Sequence, residues 1–266
     1  MNRRTLREAI RGKYYIINPK DETSGIDING IQVHPSNVFH KEFRVDIKSG
    51  SSAAFLIEHP VAVLAILGIH DASIQGTRDA WDFYRPADRE AFSRELTPAA
   101  VVGPADGSLG GDLVRMVTRI NPVEKQEPVT IQTLKKEVDL TFPGGNHVYF
   151  HPGNASDPVL KVRLSLFGLE EITALYHPRD GLQVVNGEQL DYPLAKALLS
   201  ARSAAITGPS KEAQFHALGD LLGDIAITGR INCGHVVASL GMAYHRTTIG
   251  LGMHAREQDL IERVMA

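Results

Sequence analysis

The chain has 266 residues, 43% of them hydrophobic, and a formal net charge of −3, enough to bury one large core or two modest ones and too near neutral, without any basic run, for a partner such as nucleic acid or an anionic membrane. Its one cysteine, Cys233, cannot form an internal disulfide and asks for no oxidising compartment. No apolar stretch fit for a signal peptide follows the charged N-terminus (Asn2, Arg3, Arg4, Arg7, Glu8, Arg11), and the longest apolar run, residues 61–69, is about half of what a membrane span needs, so a soluble cytoplasmic protein is expected.

In chain order, alternating apolar residues predict strands around 13–17, 26–34 and 40–48, then a helix over about 59–68 and a second at Asp88 to Leu96. The polar, proline-bracketed run from Asn121 to Pro128 reads as a linker. Beyond it, Val129-Thr130-Ile131, Glu137 to Phe142 and His147 to Phe150 read as strands, with Pro143 to Asn146 as a turn between the last two. Val159 to Phe167 adds another strand. Helices follow at about 192–201 and 211–226, the second started by Ser210 as N-cap and stopped before Gly229. The expected fold is α+β: two similar α/β sandwiches, residues 1–124 and 125–266, each a sheet packed on two helices.

Chemistry concentrates in two places. His216, Asp220 and Asp224 are spaced four apart, so on a helix they share one face, while Leu218, Leu221, Leu222 and Ile225 take the buried side. Such a face can equally be the solvated stripe of an amphipathic helix. Gly219 and Gly223 weigh against that, because each costs about 1 kcal/mol inside a helix and a close approach to that surface would compensate. Glu58-His59 alone would be surface decoration, but it opens the apolar stretch from Pro60 to Ile69. His59, His216 and Asp220 together offer two imidazoles and a carboxylate, a set that suits Zn2+ and leaves a fourth position for water. Glu58 is then free to act as a base. Each half contributes one ligand-bearing helix, which puts the expected site in the cleft between halves.

These segments resemble the zinc-dependent UDP-3-O-acyl-N-acetylglucosamine deacetylases of lipid A synthesis, the LpxC family. Ile57-Glu58-His59, followed by Ala62, Leu64, Ala65, Leu67, Gly68 and Ile69, resembles the family's first metal segment. His216 through Asp224 resembles the second, His-Lys-x-x-Asp-x-x-Gly-Asp. Weaker likenesses fall in order at Arg4-Thr5-Leu6, His177-Pro178, Ala201-Arg202-Ser203 and the C-terminal Gly252 to Ala266. The resemblance implies a deacetylase in which His59, His216 and Asp220 hold zinc and Glu58 is the base. It also implies that Ser203, at the family's threonine position, donates to the developing oxyanion. The acid is implied to be a histidine ahead of a final helix, oriented by Asp224. His235, His245 and His254 are the candidates. His254 is preferred because Ala255 and a helical pattern follow it, whereas His245 would lie in an extended hairpin from Gly234 to Gly252.

Two departures bear on the substrate. Only the twelve residues 204–215 separate Ser203 from His216, where the family inserts the element that walls its acyl tunnel, and the family's lysine is Ala217 here. An N-acetylated sugar or sugar nucleotide without a long chain is therefore expected. The lipid A reaction itself and a non-catalytic metal-binding relative stand as alternatives.

Overall fold

The computed structural model describes residues 2–12, 15–21, 25–41, 44–76, 78–79, 100–101, 108–110, 122–154, 156–228, 231–242 and 244–263. The helix expected at Asp88 to Leu96 lies outside them. The described residues form a mixed α+β structure with several sheets and five helices: α1 (Glu58–Ile66), α2 (Tyr192–Ser200), α3 (Ala204–Thr207), α4 (Lys211–Thr228) and α5 (His245–Glu257). No helix among them is long and apolar enough to cross a membrane.

The larger sheet has seven strands in the order Val138–Thr141, His147–Pro152, Gly234–Leu240, Leu160–Leu166, Ile172–His177, Gly181–Val185 and Glu188–Gln189. Only Gly234–Leu240 and Leu160–Leu166 run parallel. Strict alternation drives these strands: in Leu160–Leu166, Leu160, Val162, Leu164 and Leu166 are buried while Lys161 and Arg163 face water. A five-stranded sheet in the first half places Tyr15, Ile17, Ile28 and Ile74 in the interior. Within it Asn29 and Gly30, at φ of 51° and 79°, divide the expected strand 26–34 into Ile26–Ile28 and Ile31–Gln32, because such a pair turns a chain tightly.

α1 and α4 pack against each other. Every residue of α1 is buried, as befits a helix apolar nearly all round, and one buried apolar cluster continues through both helices into both sheets. Pro60 falls in the first turn of α1, where its missing N–H costs nothing. Ser210 starts α4 by accepting a hydrogen bond from the Ala213 N–H at 3.1 Å. The two helices touch backbone to side chain at Gly223: a Cβ there would sit 2.8 Å from the Glu58 carbonyl oxygen and 3.1 Å from Ala62 Cβ. At the far end of α1, Gly68 (φ 65°) and Gly181 (φ 82°) interlock so closely that a Cβ on either would overlap the other segment's backbone.

Four expectations are corrected. The strand expected at Val129-Thr130-Ile131 is instead Gln132–Leu134. The linker is the strand Val123–Pro128, paired antiparallel with Asn2–Thr5; a proline is tolerated at such a sheet edge. The hairpin from Gly234 to Gly252 is instead the strand Gly234–Leu240 followed by α5. The helix expected after His254 ends at Glu257, and Ile261–Arg263 pairs with Gln132–Leu134 as a strand.

The glycine contacts predict opposite behaviour for two substitutions on α4. Gly223→Ala should destabilise by about 1–3 kcal/mol, since it drives a methyl group into the α1 backbone. Gly219→Ala meets only the end of the Leu109 side chain, which can turn aside, and its gain in helix propensity of about 1 kcal/mol offsets that shift. Urea unfolding with equal midpoints for the two variants would contradict the tight contact.

Candidate metal centre

Three helices deliver the site. The first turn of α1 supplies Glu58 and His59, the middle of α4 supplies His216, Asp220 and Asp224 on one face, and the start of α5 supplies His245 and Thr248, with Tyr244 capping it. All of the charged members are buried, Asp220 and Asp224 completely. Ligand atoms of His59, His216 and Asp220 lie within 4.8 Å of one another, so this cluster could hold a metal ion. The rings of His59 and His216 meet edge to face, their centroids 5.0 Å apart.

Neighbours fix how each donor points. His216 Nδ1 donates to the Ala201 carbonyl at 2.9 Å, which turns Nε2 to the cluster, 3.2 Å from Asp220 Oδ2: protonated it donates to that carboxylate, and deprotonated it offers the lone pair an ion needs. Asp220 Oδ1 is buried, accepts no hydrogen bond and stands 3.7 Å from His59 Nε2. A buried carboxylate oxygen left in that state is costly unless a cation completes it, and the donor types are those of a divalent transition ion. The residues present therefore fit a metal.

Two groups flank the cluster without belonging to it. Glu58 Oε2 accepts the Val45 N–H at 2.9 Å, and Oε1 lies 3.8 Å from His59 Nε2. Burial raises Glu58 from 4.5 to about 8, although His245 opposes the rise. The second group is His245, whose Nδ1 lies 2.8 Å from Asp224 Oδ2 and whose Nε2 is 3.5 Å from Asp220 Oδ2. Burial alone would lower His245, but Asp224 and Asp220 outweigh it and lift the ring from 6.5 to about 10. Thr248 Oγ1 donates to the same Asp224 oxygen. Burial pushes Asp220 upward, yet His216 and His245 overcome it and hold this carboxyl well below the ordinary range.

The structure thus brings together Glu58, His59, His216, Asp220 and Asp224 but separates His254 from them. His254 follows His245 by nine residues on α5, two and a half turns, which puts it roughly 13 Å along the axis and on the opposite face. The imidazole that Asp224 orients is that of His245, which corrects the choice of His254. His235 lies on the strand Gly234–Leu240 opposite His151. Ser203 caps α3, its carbonyl accepting from Ile206 and Thr207, and the contact of this segment with the cluster runs through the Ala201 carbonyl. Tyr244, Thr248 and the Val45 N–H went unrecognised in the sequence. The spacing of His245 and Thr248, three apart on one helix face, was the available signal once this segment is taken as a helix.

No protein-family model and no curated protein matches this chain.

The buried charges set the pH response of the metal-free protein. His245 keeps its proton to about pH 10 when folded and loses it near 6.5 when unfolded, so its contribution is complete below 6.5 and is lost as pH rises toward 10. Glu58, neutral to about 8 when folded and ionised above 4.5 when unfolded, weakens the fold in the same direction. The thermal midpoint of metal-free protein should fall from about pH 6 to about pH 9. His245→Gln should flatten the part of that decline above 6.5; an unchanged slope in calorimetry would place the titrating charge elsewhere.

Proposed function

We propose that this protein is a zinc-dependent amidohydrolase, soluble and cytoplasmic, that removes the acetyl group from an N-acetylated sugar or sugar nucleotide without a long acyl chain. The observation that carries the reading is the pairing of a buried acid, Glu58, and a buried cationic imidazole, His245, both beside a three-donor cluster. A closed structural site would use four donors and need neither flanking group. The expected arrangement of two sandwich halves, residues 1–124 and 125–266, with the centre in the cleft between them, belongs to the same proposal.

When bound by His59, His216 and Asp220, zinc polarises a carbonyl and acidifies water. Glu58, held through Oε2 by Val45, presents Oε1 toward the cluster and takes the proton of the attacking water. The water oxygen bonds to the acetyl carbon and the C–N bond breaks. His245 carries the proton that the departing amine requires, and Asp224 keeps the ring charged and aimed. Its charge also opposes the negative charge that builds on the carbonyl oxygen, a task for which Ser203 is the further candidate. Acetate and a free amine are released.

The substrate class rests on the segment between Ser203 and His216. It forms the four-residue α3, a short turn and the start of α4, which supports a site without a wall for a long chain.

Elemental analysis of purified protein should give one zinc-class ion per chain, lost in His216→Ala. Glu58→Ala and His245→Ala should keep the metal and lose about 10²- to 10⁴-fold in turnover, measured as acetate release from a panel of N-acetylated sugars and nucleotide sugars. His254→Ala should stay near wild type. Full metal in His216→Ala, or a crippled His254→Ala beside an active His245→Ala, would sink the assignment of roles.

Chain length supplies a separate test. A buried methylene stabilises binding by about 0.8 kcal/mol, so a tunnel-bearing enzyme gains orders of magnitude from a long acyl group. Here kcat/KM should change by about tenfold or less when a 3-O-acyl chain of roughly ten or more carbons is added, given how few atoms of it could be buried. A thousandfold rise would instead favour the lipid A reaction.

A further inference from the structure

We infer that Tyr244 is a positioning residue for the metal centre: its phenol holds one oxygen of Asp220 so that the carboxylate meets the ion through the other oxygen alone. The inference rests on the metal reading above and deepens it. Tyr244 Oη donates to Asp220 Oδ2 at 2.5 Å. Oδ1 of the same carboxylate is the buried oxygen that accepts no hydrogen bond, and it faces His59 Nε2. The two oxygens of Asp220 thus have different environments: Oδ2 accepts from the phenol and also lies 3.2 Å from His216 Nε2 and 3.5 Å from His245 Nε2, whereas Oδ1 accepts no hydrogen bond.

The phenol cannot easily leave that position. Tyr244 caps α5, its carbonyl accepting the Thr247 and Thr248 N–H groups at 2.8 and 3.0 Å, so the residue is tied to the helix that also carries His245. Its ring packs against the His245 imidazole with centroids 4.9 Å apart. One short stretch of chain therefore orients a ligand through Tyr244 and presents the acid through His245.

The consequence is chemical. A carboxylate free to rotate can bind a divalent ion through both oxygens, filling the position that a catalytic site keeps for water or substrate. A hydrogen bond fixed on Oδ2 opposes that second bond and sets the orientation of the first. Groups that hold metal ligands in this way commonly change affinity by about 10–100-fold when removed.

Tyr244→Phe deletes only the hydroxyl. Wild type and this variant would be stripped of metal, titrated with Co2+ against a competing chelator, and compared by visible absorption. The variant should bind about 10–100-fold more weakly and show a shifted, weakened visible band, reporting a higher coordination number. A loss of packing alone would lower the thermal midpoint of metal-free protein without altering the band. Affinity within about threefold of wild type together with a superimposable spectrum would overturn the inference. Wild type that takes up no cobalt would overturn the metal reading, and the role of Tyr244 with it. Should the variant fail to fold, wild type labelled with 13C at the tyrosine Cζ decides the matter: one of its seven tyrosine signals should move on zinc loading, and seven unmoved signals would overturn the inference.

Discussion

The approach of α1 to α4 at Gly223 is the contact on which the rest depends. Without a side chain at this position, the α4 backbone comes against the Glu58 carbonyl and Ala62, so the first turn of α1 lies beside the stripe of His216, Asp220 and Asp224. Any residue with a Cβ would separate the helices at the point where the donor set must converge. The helix propensity lost at Gly223, about 1 kcal/mol, is offset by an arrangement that no loop would hold as firmly, because both helices are anchored in one apolar core.

Burying so many ionisable groups is expensive unless each is matched. The centre meets that demand with alternating charge. Asp220 stands among His59, His216 and His245, and Asp224 stands between His245 and Thr248. Glu58 is the exception, since its firm partner is a neutral backbone N–H. Its elevated value follows from burial, which the opposing charge of His245 does not overcome, and this makes it a group able to exchange a proton near neutral pH.

The donor set was legible in the sequence because it is written at helical spacing: His216, Asp220 and Asp224 can only line up if the segment is a helix, and Glu58-His59 opens an unbroken apolar run. The strands from Glu137 to Phe167 were legible for a similar reason, their period of two being strict. What was not legible came from glycines and prolines that serve packing instead of turning. The segment expected as a hairpin from Gly234 to Gly252 ends inside α5, where Gly250 and Gly252 let the helix close onto the Phe142 ring and the Thr228 side chain. That misreading carried His245 into a strand and promoted His254. Pro122 and Pro128 suggested a linker where an edge strand pairs with Asn2–Thr5. Local sequence cannot distinguish a glycine that bends the chain from one that admits a neighbour, since the neighbour comes from far away.

That distance has a consequence for the order of assembly. The residues that gather around the centre come from three stretches, near 58, from 216 to 224, and from 244 to 248, with more than half the chain between the first and second. Contacts of such separation form late in folding, after shorter loops have closed. A chain still emerging from the ribosome carries Glu58 and His59 for a long while with nothing to join them. Ion capture and acid–base capacity would therefore arrive together, near the end, and an unfinished or misfolded copy would have neither. A centre built this way doubles as a record of completed folding: metal content would count the molecules that have reached the native state.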